Sequence, residues 1–277
     1  MMKSKPLAFS PGSITAYFQI TRDKVTGLPH STGLSINIRE GVTASLREEK
    51  TNKTFLNGNP IEIPTVTTVV QQLSPSPIHL SLETPLPLGA GFGLSAASAL
   101  SSALAVNAFF GLKRTEKDLE TVSFLAEVEH KTGVGDVAAQ IEGGVVYRHT
   151  EDPKRISLPV EVPDFYCSVY GAIETRAILQ SPEALAKVNQ AGQKAILLME
   201  QRLPQISWFD LCEVSWGFSQ ESGLLTPEVA KAVRKIREQG GAGFMIMIGN
   251  SLVSTIPDDN GKQVWKTNID QQGARLL

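Results

Sequence analysis

The segment PLGAGFGLS, residues 87–95, combines alternating glycines with a serine in a pattern that can bind phosphate. Because glycine has no Cβ, the backbone N–H groups at Gly89, Gly91 and Gly93 can approach phosphate oxygens closely. A run of good helix formers follows, and the N-terminus of a helix attracts anions through its unpaired N–H groups and its dipole. The same glycine spacing also occurs at ordinary tight turns, so this feature alone leaves a phosphate loop and a simple turn both open.

The segment differs from two well-known phosphate loops. A Walker A loop requires Lys and then Ser or Thr directly after its last glycine, whereas Leu94 and Ser95 follow Gly93. A dinucleotide-binding fingerprint requires a third glycine three positions after the second, where this chain has Leu94. Ser95 falls in the first turn of the predicted helix, where its hydroxyl can contact a phosphate oxygen or a metal, or simply cap the helix.

Acidic residues that suit phosphoryl transfer come later in the chain. Asp136 lies in the glycine turn TGVGD, and a carboxylate there can accept the proton of an attacking hydroxyl. The alternative role for Asp136 is to cap the helix that begins in VAAQIE. Glu127 and Glu129 offer a hard oxygen ligand for a metal ion, or else are solvated carboxylates on a helix face.

An arginine follows at the end of the predicted strand GGVVYR. The guanidinium of Arg148 is suited to binding a carboxylate, and strand alternation can direct it toward the same cleft as Asp136. The alternative is a surface arginine that pairs with Glu151 or Asp152.

Strands are predicted over the first 84 residues, the last of them at residues 78–83, and helices only after them. One helix of about 17 residues follows Gly93 and ends at Gly111. A second is predicted over Glu116 to Lys131, because Thr115 and Asp118 form a capping-box pattern. These two helices must position Ser95 and Glu127.

A polar, proline-rich segment at residues 151–164 is typical of a domain boundary, and it divides the chain into residues 1–160 and 161–277. The second part alternates strands at residues 165–173, 243–249 and 264–269 with helices between 182 and 238. This pattern favours a small α+β sandwich with helices on one face of an antiparallel sheet. An exposed edge of that sheet would support a homodimer.

Composition excludes several classes of function. A net charge of -2 gives no general attraction for nucleic acid or for an anionic membrane. Cys167 and Cys212 have no paired spacing and are interpreted as reduced, buried side chains. No apolar run approaches the ~18 residues of a membrane span, and the N-terminus lacks the apolar core of a signal peptide. We expect a cytoplasmic protein that binds neither nucleic acid nor a membrane.

The glycine segment is similar to the central motif of the GHMP kinases, P-x-x-x-G-L-G-S-S-A-A, with Phe92 and Leu94 as departures. The segments FSPG at residues 9–12, TGVGDVAAQIEGG at 132–144 and GGAGFMIMIG at 240–249 resemble further motifs of this superfamily. The resemblance implies that Ser95 helps to ligate Mg²⁺ and that the loop binds ATP. The implied ATP-binding residues are Pro87, Gly89, Ala90, Gly91, Phe92, Gly93, Ser95 and Ala96.

The resemblance also implies a fold and further roles. The fold would have an N-terminal α/β domain with the phosphate loop before a helix, and a C-terminal ferredoxin-like α+β sandwich. Asp136 lies seven residues before Gly143, as the catalytic aspartate does in the family. Glu127 follows an alanine, as the second magnesium ligand does, and is preferred to Glu129.

Within the superfamily, the motifs are most similar to those of the archaeal pantoate kinases, which use ATP to phosphorylate pantoate during coenzyme A biosynthesis. This implies that Arg148, Thr175 and Ser31 bind pantoate. Ser13 and Phe124 stand where pantoate kinases usually carry histidine. The alternatives are a GHMP kinase acting on shikimate, homoserine or a mevalonate-type acceptor, or a degenerate member that binds a nucleotide or metabolite and regulates another process.

Overall fold

The computed structural model of the protein describes residues 7–23, 26–149, 155–173 and 181–277. The described chain is a mixed α+β structure with two sheets, which confirms the predicted fold class. Its strands are β1 (Leu7–Arg22), β2 (Pro29–Glu48), β3 (Lys53–Leu56), β4 (Asn59–Pro60), β5 (Ile78–Glu83), β6 (Val145–Arg148), β7 (Arg155–Ser157), β8 (Phe165–Gly171), β9 (Gly243–Ile246), β10 (Asn250–Ser254), β11 (Gln263–Thr267) and β12 (Arg275–Leu276). Its helices are α1 (Pro64–Leu73), α2 (Leu94–Phe110), α3 (Glu116–His130), α4 (Asp136–Glu142), α5 (Pro182–Glu200), α6 (Trp208–Glu221) and α7 (Pro227–Glu238).

The first sheet has eight strands and is built on the long antiparallel pair of β1 and β2. The strand order is β12-β1-β2-β5-β3-β4, with β6 also paired to β2 and β7 paired to β6. Of the strand pairs in the described residues, β3 with β5 is the parallel one. The β1–β2 ladder extends from Leu7 opposite Ser45 to Arg22 opposite Pro29, with irregularities between Pro11 and Gly12 and between Thr15 and Tyr17.

Helices α2 and α3 begin and end close to the predicted positions. Helix α2 starts after Gly93 and stops at Gly111, whose left-handed conformation (φ 62°) is typical of a glycine cap. Small residues let α2 pack closely on β1 and β2, and most of its side chains are buried. At the start of α3, the Thr115 hydroxyl accepts a hydrogen bond from the Asp118 N–H, and the reciprocal bond of the capping box is also present.

Helix α1 contradicts the expectation that helices occur only after residue 84. Pro64 occupies its first turn, where the missing N–H is tolerated, and Val66, Val69, Val70 and Leu73 form one buried face. The many β-branched residues of this segment are typical of strands in isolation, but packing against α2 and α3 outweighs that preference. The first turn of α1 consequently lies beside the start of α2.

The second sheet is the α+β sandwich expected for the later part of the chain. Its strand order is β11-β8-β10-β9, and every pair is antiparallel. Helices α6 and α7 pack on this sheet, while α5 contacts both α6 and β1. Cys167 and Cys212 are buried free thiols, as predicted. The division at residue 160 stays a prediction, and β12 from the end of the chain pairs with β1 in the first sheet.

Across the described ranges, no helix combines the length and the apolar character that a membrane crossing requires.

Candidate active site

A cavity of about 510 Å³ opens where the glycine loop meets the ends of three helices. Its walls come from the first turns of α1 and α2, the end of α3, the turn before α4, and β1 and β2. Residues 247 and 248, which follow β9, close the side toward the second sheet. Motifs that are far apart in the sequence therefore converge on one space.

The glycine loop has a backbone that requires glycine at its central positions. Gly91 has φ 92°, and a Cβ there would lie 2.9 Å from Ile246 Cγ2 and 3.1 Å from Gly249 Cα. Gly93 has φ 60°, and a Cβ there would lie 3.1 Å from Asp136 Cγ. Among the described residues, no side chain caps the N-terminus of α2. The first N–H groups of the helix are thus available at the cavity, as an anion-binding site needs.

The predicted ATP-binding residues differ in where they lie. Gly89, Gly91, Phe92, Gly93 and Ser95 line the cavity. The Phe92 ring is buried and packs at 5.3 Å from the ring of Trp265, so only its backbone is free to meet a ligand.

The remaining three ATP-binding candidates, Pro87, Ala90 and Ala96, are not among the described residues that line the cavity. Ala90 and Ala96 are buried in the packing around the loop.

Ser95 and Glu127 are in direct contact at the cavity wall. The Ser95 hydroxyl donates to Glu127 Oε1 at 2.5 Å, and the Thr132 hydroxyl donates to the same oxygen at 2.8 Å. The Thr65 hydroxyl, from the first turn of α1, lies 3.2 Å from the Ser95 hydroxyl. Glu129 is exposed and does not line the cavity, so of the two glutamates only Glu127 faces the site.

Burial changes the acidity of Glu127. The side chain is 2% exposed, and burial raises its pKa to about 7, against the opposing effect of the Ser95 and Thr132 hydrogen bonds. A charge of the same sign on Asp136 raises this pKa further. A bound cation would favour the ionised carboxylate, and an oxygen pair from serine and glutamate suits Mg²⁺. Within the described ranges, no three or more His, Cys, Asp or Glu side chains are grouped for metal binding, so phosphate and water oxygens would complete the shell.

Asp136 is the first residue of α4, and its carboxyl lies beside the glycine loop. The N-cap of this helix is Gly135, and no side chain in the described part of the chain makes a capping hydrogen bond. The Thr15 hydroxyl donates to Asp136 Oδ1 at 3.4 Å. Burial raises the pKa of the Asp136 carboxyl, with the hydroxyls of Ser13 and Thr15 acting in the opposite direction.

The two acidic side chains face each other across a residue without a side chain. A Cβ on Gly133 would lie 2.7 Å from Glu127 Oε2 and 3.6 Å from Asp136 Oδ2. The glycine therefore leaves space between the two carboxyl groups. This arrangement can hold a cation next to a group that accepts a proton.

Several contacting residues were not predicted from the sequence. Gln140 donates to the carbonyl of Gly93 at 3.0 Å and so holds the start of α2 against α4. Thr15, Thr65 and Thr132 support the acidic groups and Ser95. Thr65 was missed together with helix α1, whereas Thr132 lies within the TGVGD segment and was open to detection there.

The predicted acceptor-binding residues are only partly brought together. Ser31 lines the cavity, and a Cβ on Gly135 would lie 2.1 Å from its hydroxyl oxygen. Arg148 is not among the described lining residues; it pairs with Gly33 of β2, and its buried Nε has no hydrogen-bond partner in the described chain. Burial lowers the pKa of this guanidinium. Thr175 lies outside the described residues.

The two departures from the pantoate kinase pattern lie in different surroundings. Ser13 is buried beside the glycine loop, and its N–H donates to the carbonyl of Phe92 at 2.9 Å. Phe124 does not line the cavity in the described part of the chain. Of these two positions, therefore, Ser13 is the one in contact with the glycine loop.

The chain is similar in sequence to known proteins. Residues 63–144 match the model of the GHMP kinases N terminal domain. A protein named pantoate kinase from Methanospirillum hungatei is 29% identical over 292 residues, covering 100% of this chain and 98% of the relative. Another, from Methanocaldococcus jannaschii, is 27% identical over 251 residues, covering 88% of this chain and 90% of the relative.

Solved structures share the fold over nearly the whole length. One described as a phosphotransferase related to the CoA biosynthesis pathway has a TM-score of 0.82 at 23% identity, covering 99% of this chain and 98% of its own. The Methanococcus jannaschii mevalonate kinase has a TM-score of 0.68 at 10% identity, covering 98% of this chain and 100% of its own. Residues 63–144 thus match the GHMP kinases N terminal domain, and the chain is similar over most of its length to proteins named pantoate kinase.

Proposed function

We propose that the protein is an ATP-dependent kinase that phosphorylates the primary hydroxyl of pantoate, giving 4-phosphopantoate for coenzyme A biosynthesis. The observation that carries the proposal is the convergence of Ser95, Glu127 and Asp136 at the start of α2, beside a glycine loop with an uncapped helix N-terminus. The names of the relatives, which match the chain over most of its length, support pantoate as the acceptor.

The nucleotide end of the site consists of the glycine loop and the first turns of α1 and α2. Backbone N–H groups at the start of α2 bind the phosphates, and Ser95 and Glu127 hold Mg²⁺. When bound, Mg²⁺ neutralises charge on the phosphate oxygens during transfer. Thr65 and Thr132 orient the two ligand side chains through the hydrogen bonds described above.

Asp136 accepts the proton of the acceptor hydroxyl. Its carboxyl faces the cavity next to Gly93, within the reach of a substrate that lies beside the loop. The Thr15 hydroxyl donates to Oδ1 of this carboxyl, while Oδ2 lies on the side of Gly133. A carboxylate in this setting orients the attacking oxygen and takes its proton as the phosphoryl group moves.

Strand register supports an acceptor end with both apolar and polar walls. Ile20 is opposite Ser31, and Phe18 is opposite Gly33, so these side chains share the face of the sheet that lines the cavity. Arg148 is also opposite Gly33, on the far side of β2. Pantoate carries two methyl groups on one carbon, which suit contact with Ile20 and Phe18. Its carboxylate suits the Arg148 guanidinium, and its hydroxyls suit Ser31.

An acceptor screen tests the proposal. The purified protein would be incubated with ATP and Mg²⁺ together with pantoate, shikimate, homoserine or mevalonate, and ADP release would be measured. We expect magnesium-dependent release that is fastest with pantoate. Release only with another acceptor would assign a different GHMP kinase activity and reject pantoate.

A regulator without catalysis is the second candidate. It is favoured by Leu94, which stands where the family motif has its first serine and is a buried side chain with no hydroxyl. The two opposed carboxyl groups argue against it, because binding a nucleotide requires no proton acceptor. Tight binding of MgATP, with no ADP released in the presence of any of the four acceptors, would support the role of a regulator.

A further inference from the structure

Lys131 has a backbone conformation that is unusual for a residue with a side chain. It is the C-cap of α3 and has φ 56°, in the left-handed region where glycine is strongly preferred. A lysine at this position is strained relative to glycine, and strain of this kind is concentrated at functional sites. This strain alone assigns no role, because Lys113 has the same φ, so a reason for lysine at this position has to be found in the surroundings of its side chain.

The charge of the cavity supplies such a reason. The described lining residues include three carboxyl groups, those of Glu62, Glu127 and Asp136, and Lys131 is the sole lysine or arginine among them. The Lys131 side chain is exposed, and no described residue forms an ion pair or a hydrogen bond with it. A positive group thus stands at the cavity with its charge available to a ligand.

A nucleoside triphosphate carries several negative charges that such a group would attract. The N-terminus of α2 contributes only roughly half a positive charge, while Glu127 and Asp136 bring like charges toward the phosphates. Mg²⁺ offsets part of this repulsion, and an ammonium group at the wall offsets more of it. Lysine is suited to the task as a compact charge on a flexible stem.

We propose that Lys131 binds the phosphate oxygens of the nucleotide, and that this contact is why lysine occupies a position favouring glycine. The inference rests on the proposed kinase function. The competing explanation is structural: a cation at the C-terminus of a helix stabilises the helix dipole. The two explanations predict different effects of replacing Lys131 with glycine, which its backbone conformation favours: weaker ATP binding in the first case and lower stability in the second.

The chain contains a matched control for this replacement. Lys113 also has φ 56° and follows the end of a helix, but it is exposed and does not line the cavity. Lys131→Gly and Lys113→Gly each relieve the same backbone strain and remove one lysine. Only Lys131→Gly removes the charge at the cavity.

The experiment compares the wild type with Lys131→Gly, Lys131→Arg and Lys113→Gly. For each protein it measures the melting temperature, kcat, KM for MgATP, and the affinities for ATP and for adenosine. We expect Lys131→Gly to melt no lower than the wild type and to raise KM for MgATP by roughly tenfold, the usual scale of one charge-assisted contact. Adenosine affinity should not change, and the increase of KM with salt should become shallower because one ion pair is lost. Lys131→Arg should retain most of the ATP affinity, and Lys113→Gly should match the wild type in all kinetic values.

Failure of this inference is distinguishable from failure of the proposed function. If the wild type is active but Lys131→Gly has an unchanged KM and a lower melting temperature, Lys131 supports the helix and the phosphate contact is rejected. A second outcome is that the wild type releases no ADP with any acceptor, while Lys131→Gly binds ATP more weakly and adenosine equally well. That outcome would support the phosphate contact and reject the kinase function. Equal loss of ATP and adenosine affinity would also reject the contact.

Discussion

At the scale of single residues, substitution of Asp136 tests proton transfer separately from substrate binding. In Asp136→Asn the side chain keeps its shape and most of its hydrogen bonds but cannot accept the proton, so kcat should fall by about 10²-fold or more while substrate affinities change much less. Arg148→Ala should instead mainly raise KM for pantoate, because a carboxylate contact is lost in the ground and transition states alike. Steady-state kinetics of both variants would measure this contrast. If Asp136→Asn kept nearly full kcat and lost thermal stability, Asp136 would have a structural role and not that of a base.

Glu127 yields a prediction about pH that does not require the reaction. Burial raises its pKa to about 7 in the folded protein, above the 4.5 typical of an exposed glutamate. Between these values the folded state holds a proton that the unfolded state has released, so this group lowers stability as pH rises toward 7 and its full penalty applies above 7. The penalty has an upper limit of about 3 kcal/mol.

Glu127→Gln should therefore be more stable than the wild type at pH 8 without magnesium, although it loses magnesium-dependent activity. The two proteins should differ little in stability at pH 4, where the glutamate is protonated in both states. Thermal melts at the two pH values, with and without Mg²⁺, measure both effects. A variant less stable than the wild type at pH 8 without Mg²⁺ would show that the buried carboxylate is not destabilising.

At the scale of elements, substitutions in the glycine loop test whether its backbone binds ATP. Gly91→Val places a branched side chain where φ is 92° and Ile246 Cγ2 is 2.9 Å from the Cβ position, so the loop must move and ATP affinity should fall. Gly93→Val is a poorer test, because its Cβ would also disturb Asp136. Gly111→Ala is the control: it strains a glycine with φ 62° at the other end of α2, where a Cβ meets nothing within 4 Å. The Gly111→Ala variant should lose stability and retain ATP affinity. If Gly91→Val folds and its ATP affinity is unchanged, the loop is only a turn.

The sequence was a good guide to elements with strong local signals and a poor guide to those without them. Gly111 and the capping box at Thr115 are short-range signals, and α2 and α3 follow them closely. Helix α1 lacks a side-chain cap and is rich in β-branched residues, so only its packing against α2 and α3 reveals it. The contact between Thr65 and Ser95 depends on that packing and was not predictable for the same reason. Whether Arg148 reaches the cavity likewise depends on strand pairing, which the sequence pattern does not specify.

At the scale of the whole molecule, both sheets hold the glycine loop. From the first sheet, Ser13 N–H donates to the Phe92 carbonyl at 2.9 Å. From the second part of the chain, Ile173 N–H donates to the Gly89 carbonyl at 3.1 Å, and Trp265 packs on Phe92. Both parts of the chain therefore hold the glycine loop at the cavity, and in the proposed reaction this would help to bring phosphate, cation and hydroxyl together.

The central claim is that this arrangement transfers phosphate from ATP to the primary hydroxyl of pantoate. Phosphorus NMR of the protein mixed with ATP, Mg²⁺ and pantoate observes the transferred group itself. We predict a new phosphomonoester signal split into a triplet by the two protons of the adjacent CH₂ group, absent without Mg²⁺ and strongly reduced with Asp136→Asn. Conversion of ATP to inorganic phosphate alone, or no consumption of ATP with pantoate while another acceptor is phosphorylated, would contradict the claim.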